Sequence, residues 1–374
     1  MKLALAEMRR TPGRWGSITG AVGFIVFLVL VLAGLADGLF IGTTGALQTG
    51  NTDAITYSID GRRSLVRSEL PVSDIARVAE VEGVADAGGL GVLLTTAGVG
   101  DDAYDIAVMG HIPGHAGEPT RLVDGRRPLP GEEGVGLADV SVQEVGVAMG
   151  DSVTLTGSSE PIQIVGFVED SQYLLAATVW VPLETWQSLR LEVRPETAGR
   201  GRVVQAIPIL VDPAASVSAV SDAVDEAVGG TETVSKDDAI LSLPGVAQQQ
   251  STFTAIIVVS FIVVGVVIAL FFALITLEKR GQFAILKAIG SPNRLLLLGV
   301  LVQALIATGA GYMLGLALSR LLGLVLPSTV PVEFLTQTAL SLFFSTIVMG
   351  ALGAAFSFRK IIRIDPASAL GGEA

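Results

Sequence analysis

The chain has 374 residues, half of them hydrophobic and only 16% charged, with a mean hydropathy of +0.63. That is too apolar for an ordinary soluble protein and places it among membrane proteins. It has no cysteine, which excludes disulfide frameworks, thiolate metal sites and cysteine nucleophiles.

The N-terminal 1–17 segment carries Lys2, Arg9, Arg10 and Arg14 and leads into an apolar run over 18–40. A secretory signal has a core of about 7–15 residues and a small-residue cleavage site. This longer run predicts an uncleaved first span. Residues 41–251 then have the patterning of a soluble domain. "DAITYSID", "SVTLTG", "IQIVGFV" and "ATVWVPL" predict short strands. "VSDIARVAEVEGV" and "SVSAVSDAVDEAVGG" have helical spacing with a Ser start and a Gly stop. Two helix-plus-strand units flanking a small β-rich core are expected, with Arg194–Arg202 as a mobile loop.

Three more runs are long enough to cross a hydrocarbon core of about 30 Å: 252–277, 291–320 and 334–358. A short loop, 321–333, joins the last two, and 359–374 forms a tail. The predicted fold class is therefore a membrane α-helical protein of four transmembrane helices, with a large α+β extracytoplasmic domain inserted between the first and second. Its orientation follows from the bases. Lys279, Arg280, Lys287 and Arg294 join the second span to the third, and Arg359, Lys360 and Arg363 follow the fourth, so these places and both termini are expected in the cytoplasm. Residues 41–250 hold 30 acids against 12 bases, a net of −18 that agrees with an outer location. The overall charge of −12 therefore hides two opposite parts, and nothing in it calls for nucleic acid.

Residues 278–290 form a charged insert between two apolar runs. On a helix, Phe283, Leu286 and Ile289 share one face with Ile285 at its edge, while Lys279, Arg280, Gln282 and Lys287 stay off it. Gly290 suits the position that ends a helix, and Ser291-Pro292 an N-cap followed by proline. A short amphipathic cytoplasmic helix results. It either rests on lipid headgroups or acts as a lever that a cytosolic partner grips.

"EKRGQFAILKAIG", Glu278–Gly290, resembles the signature of the MacB/FtsX-type permeases of ATP-binding-cassette transporters, through Glu278, Lys279, Leu286, Lys287, Ala288, Ile289 and Gly290. The order of spans matches, and "RIDPASAL", Arg363–Leu370, is similar to the family's closing motif. Gln282, Gln303 and "GLADGL", Gly34–Leu39, resemble the HrtB/DevC branch, whose HrtB members export haem. The resemblance implies a permease homodimer in the bilayer and a separate ATPase that uses ATP and Mg. It makes Glu278, Lys279, Phe283, Leu286, Lys287, Ala288 and Gly290 the ATPase-coupling candidates. No GxxxxGK[ST] phosphate loop occurs in the chain, so no catalytic residue, bound cofactor or metal is assigned to it. Transport of an amphipathic molecule such as haem, and mechanical transmission to an extracellular protein, both remain open.

Asp37, an ionisable residue at the end of a span, is the first portal candidate, with Tyr312 and Met313 behind it. The spacing of Ala307, Gly311 and Gly315, and of Gly350 and Gly353, permits close helix packing, either inside one chain or at a dimer seam. His111 and His115 fall in a loop-like stretch without a third ligand, and the acidic clusters Gly100–Asp105 and Lys236–Asp238 read as solvated turns.

Overall fold

The computed structural model describes residues 10–99, 102–327 and 330–362. Lys2, Glu7, Arg9, Gly100, Asp101, Arg363–Leu370 and Glu373 lie outside the described residues. Two compact units form: one from the two ends of the chain, up to Gly38 and from Gln250 onward, the other from Leu39–Gln249.

Among the described residues, four helices are long and apolar enough to cross a membrane. They are α1 (Pro12–Thr49), α6 (Val246–Glu278), α8 (Asn293–Gly323) and α9 (Thr336–Ile362). The first is much longer than the apolar run 18–40. Hydropathy marks only the greasy length. The backbone ladder continues through Thr43 and Thr44, whose hydroxyls turn back onto the Leu39 and Phe40 carbonyls.

The core of the membrane unit is a set of stripes spaced by three or four residues, the period that keeps side chains on one helix face. Val22, Val26, Val29 and Ala33 of α1 meet Val264, Ile268 and Phe272 of α6 and Val300, Ala304 and Ala307 of α8. Glycines set the closest approaches. A Cβ on Gly315 would lie 2.8 Å from both the Gly23 oxygen and the Phe27 nitrogen, and one on Gly353 3.0 Å from the Gly265 oxygen. Gly311 likewise meets Val22, and Gly350 meets Thr308. These small residues therefore pack within one chain.

The inserted unit has fold class α+β. Strands β4 (Leu90–Val99), β5 (Asp102–His111), β6 (Leu122–Gly125), β7 (Val135–Asp139), β8 (Ser152–Leu155), β9 (Pro161–Val168) and β10 (Ala177–Pro182) form a sheet ordered β6-β9-β7-β10-β5-β4-β8. Pairing of β8 with β9 as well closes six of them into a ring. Full closure removes exposed edges. Helix α3 (Leu183–Val193) sets Trp186 into the core against Gly91 and Gly110, where any Cβ would strike the indole.

A second sheet runs β13-β1-β12-β3, from Thr231–Ser235, Ala54–Ser58, Ile207–Val211 and Val84–Ala87. The two expected helix-plus-strand units do not flank a core. Their strands β3 and β13 are the two edges of this one sheet, and α2 (Asp74–Ala79) is tied to the end of α4 (Val217–Val228) by Arg77, which donates to the Ala227 and Val228 carbonyls. Helix α2 is also shorter than its pattern, because the Gly83 turn, at φ +90°, follows it closely.

Three other expectations are corrected. Arg194–Arg202 is pinned: Arg190 and Arg200 both bind Glu69, Arg202 donates to Gln187, and β11 (Val203–Val204) pairs with β2 (Leu70–Pro71). Asp102–Asp105 belongs to strand β5. Lys236–Asp238 opens α5 (Lys236–Leu241), where the Ser235 hydroxyl accepts from the Asp238 N–H and Lys236 donates to the Gly50 carbonyl.

The segment before β10 is tense. Asp170, Leu174 and Leu175 have φ of 50°, 52° and 67°, and left-handed backbone at a non-glycine residue costs about 1–3 kcal/mol. It is fastened to α1: the Leu174 and Leu175 N–H groups donate to the Thr43 and Gly42 carbonyls, and Ala46 donates to Gln172. Gly42 and Gly45 leave room, since a Cβ on Gly45 would lie 2.4 Å from the Asp170 oxygen.

His111 is fully buried on β5, edge-on to Trp180 at 5.9 Å. Burial, aided by the charge of Arg127, pushes its pKa down to about 4. The folded state thus holds His111 neutral where an unfolded chain, with a pKa near 6.5, would protonate it. The contribution is fully present above about pH 6.5 and is lost as pH falls toward 4, amounting to about 3 kcal/mol. Thermal unfolding of the whole chain in detergent should show a steep fall in Tm between pH 6.5 and 4.5. That fall should be shallower in His111→Leu, and equal slopes would contradict the assignment.

Candidate coupling site and membrane portal

Helix α6 ends at Glu278, and α7 (Arg280–Ala288) begins two residues later. The turn that ends α7 is dictated by one glycine. Gly290 sits at φ +91°, a conformation that costs glycine little. Its N–H donates to the Lys287 carbonyl and that of Ser291 to Leu286, the bond pair of a Schellman stop. Helix α8 then starts at Asn293 with Pro292 at its cap position. Ser291 is not the N-cap, because the first carbonyl to accept from α8 is that of Pro292, bonded by the Leu295 and Leu296 N–H groups.

The face of α7 turned to the membrane unit differs from the expected one. Phe283 and Leu286 pack against that unit's core and Ala284 is buried within it, whereas Ile289 is 76% and Ile285 53% exposed. The helix ends before Ile289, so the three-residue spacing carried that side chain past the last turn and off the face. Gln282, Ile285 and Ala288 are exposed, and Lys287 is half-buried. Glu278 forms an ion pair with Arg14 at 2.7 Å, joining the end of α6 to the start of α1. Beside it, Trp15 and Phe272 lie with ring centroids 6.3 Å apart. Of the seven coupling candidates, Phe283 and Leu286 therefore face inward, while Glu278, Ala288 and Gly290 lie on the surface.

Asp37 lies on α1 where the chain from Pro331 to Leu335 crosses that helix. Gly34 and Gly38 make the crossing possible: the Glu333 N–H donates to the Gly34 carbonyl at 2.9 Å, and a Cβ on Gly38 would lie 2.2 Å from the Pro331 oxygen. Arg320 stacks over Phe334 at 5.6 Å. The Asp37 carboxylate bonds Thr338, and its Oδ2 is buried with no hydrogen-bond partner among the described residues. The cavity beside it, bounded by Leu30, Leu316 and Phe334, is only about 10 Å³, the size of one water.

Asp37 and Tyr312 are linked through neighbouring residues of α9, Thr338 and Ala339, both of which line the small cavity. Tyr312 is buried, donates to the Ala339 carbonyl and packs edge-on against Phe343 at 5.1 Å. Met313 is 60% exposed. His115 bonds Asp86 at 2.8 Å on the surface, and among the described residues no group of three or more His, Cys, Asp or Glu is placed to hold a metal ion.

Four candidate spanning helices, a short amphipathic helix between the second and third, and a large α+β insertion after the first define a multi-span membrane protein with one inserted domain. Residues 254–366 match the family model described as FtsX-like permease C-terminal. The chain thus carries an FtsX-like permease domain, and relatives that match it along nearly its whole length are named ABC transporter permeases. An uncharacterized ABC transporter permease of Mycobacterium tuberculosis is 26% identical over 94% of this chain and 94% of its own length. The putative hemin transport system permease protein HrtB of Staphylococcus haemolyticus is 23% identical over all of this chain and 99% of its own. Among solved structures, the extracellular domain of the ABC-type transporter YknZ covers 49% of this chain and 100% of its own, at 14% identity and TM-score 0.37. The periplasmic region of MacB from Actinobacillus actinomycetemcomitans covers 51% and 92%, at 15% identity and TM-score 0.38.

Sequence patterning missed the crossing over α1. "GLADGL" carried its signal, two glycines four residues apart on one helix face. Gly38→Ala should lower the Tm of the purified chain by several degrees, whereas Gly13→Ala, which meets open space, should leave it unchanged. Equal Tm values for the two variants would refute the packing role.

Proposed function

We propose that this chain is the permease subunit of an ABC exporter, driven by a separate ATPase that grips α7, and that it moves an amphipathic or hydrophobic molecule out of the membrane, with haem the first candidate. The observation that carries the reading is the outward face of α7. Ile285 on the helix and Ile289 just past its end, two large apolar side chains four residues apart, stay exposed while the other face of the helix is packed into the spans. A cytosolic partner binding there would move α6 and α8 together, because Phe283, Ala284 and Leu286 tie the helix to their core. The arrangement of bases supports a cytoplasmic location for α7 and both termini, with the acidic insertion outside.

Haem is suggested by the names of the HrtB relatives, in Staphylococcus haemolyticus and Staphylococcus epidermidis. The space at Asp37 within one copy is far too small for a tetrapyrrole, so a portal there requires a second copy, with the two Asp37 carboxylates at a shared seam. The same tight packing favours the second reading, in which α7 moves the inserted domain to activate an extracellular protein and nothing is transported.

The two readings part when the chain is purified with its ATPase and turnover is followed. Haem should raise ATP turnover severalfold, and Asp37→Ala should abolish that rise. If neither haem nor any lipophilic compound changes the rate while an extracellular protein does, the transmission reading stands instead.

Coupling is tested separately from substrate. Ile285→Asp should leave the chain folded, because the side chain is exposed, yet cut coupled ATP turnover at least tenfold. Leu286→Asp should instead lower the yield of folded protein, since a carboxylate in a packed apolar site costs several kcal/mol. Full turnover in Ile285→Asp would rule out this face as the grip.

A further inference from the structure

An open groove of about 500 Å³ lies in the inserted domain, between the β4–β5 hairpin and the tense segment before β10. Sites for small molecules span about 300–1,000 Å³. One side is apolar, formed by Leu94 and Leu174 over the buried Tyr173. The other is polar. Thr96 and Asp105 stand directly opposite each other on the paired strands, and the Thr96 hydroxyl lies 2.7 Å from that of Thr156. Leu94, two residues before Thr96, projects from the same face of the sheet.

The lining contains one carboxylate, several hydroxyls and neither lysine nor arginine. Asp105 makes no ion pair among the described residues, so its charge is available. The surrounding domain adds a field of the same sign through its net −18, which draws in cations and repels anions.

Backbone tension points to the same place. Leu174, at φ 52°, forms part of the wall, and Leu175 and Asp170 share the left-handed conformation. Such positions gather at ligand clamps and switch regions. The wall they build is held by backbone hydrogen bonds to the carbonyls of Gly42 and Thr43, which gives it a fixed shape before any ligand arrives.

We propose that this groove binds a small amphipathic amine, its ammonium group held by Asp105 and the Thr96–Thr156 hydroxyls and its hydrocarbon part laid against Leu94 and Leu174. The site is independent of the export reading and distinct from Asp37. It would not favour haem, whose two carboxylates carry the wrong charge.

The test uses the full chain in nanodiscs of uncharged lipid, with empty nanodiscs as the partition control, and phenethylamine as the probe. Phenylacetate, of similar shape and opposite charge, is the comparison. Calorimetric titration should give saturable phenethylamine binding, at least tenfold weaker phenylacetate binding, and at least a tenfold loss of phenethylamine affinity in Asp105→Asn. Asp105 is exposed, so the variant should keep the wild-type Tm. Absence of saturable phenethylamine binding, equal affinity for the two probes, or unchanged affinity in Asp105→Asn would each overturn the proposal. ATP turnover is not part of the readout, so this result and the transport result can fail separately.

Discussion

The membrane unit depends on how closely helix backbones approach one another. In lipid, association of helices gains little from burying apolar side chains, because the surrounding tails are equally apolar, so contact between backbones has to supply the attraction. Gly23 against Gly315, and Gly265 against Gly353, provide that contact by having nothing in the way. The stripes of Val, Ile and Leu then close around these points. Much of α6 is left outside them: Val259, Val266, Leu270 and Leu274 are each more than half exposed and form the surface offered to lipid or to another chain.

This packing explains the asymmetry of α7. A helix of nine residues is too short to be stable alone, so α7 relies on Phe283, Ala284 and Leu286 being held by the spans. Gly290 ends it sharply and returns the chain to the membrane unit. What remains outward is a narrow strip of Gln282, Ile285, Ala288 and Ile289. The Arg14–Glu278 pair lies at the same end and is largely solvated on the Glu278 side, so it adds little energy while fixing which helices meet there.

The spanning helices, the insertion and the hinge were legible because each rests on a local signal: an apolar run, a change of period, a glycine past a helix end. Directions were harder. The period of Phe283, Leu286 and Ile289 is correct for a helix, but only if the helix lasts that long, and the Schellman turn stops it one residue short. Strands β4 and β5 went unread because the long hairpin buries parts of both faces and so lacks clean alternation. Helix α3 escaped because its buried residues include Thr185 and Arg190, which polarity alone assigns to a surface. Asp37 stood out as an acid in a span, yet its partner Thr338 lies some three hundred residues away in the chain, and no local pattern links them.

One feature of the insertion bears on ancestry. Strand β1 follows soon after α1 and strand β13 comes shortly before α6, and the two are paired side by side, with Ala54 opposite Ser235. The domain therefore leaves the polypeptide almost where it joins it, as in a plug-in module. A lineage could replace this module with another of different sequence, or shrink it to a hairpin, without altering the spacing of the flanking segments. Divergence should then run faster in this module than in the glycine-packed helices on either side of it.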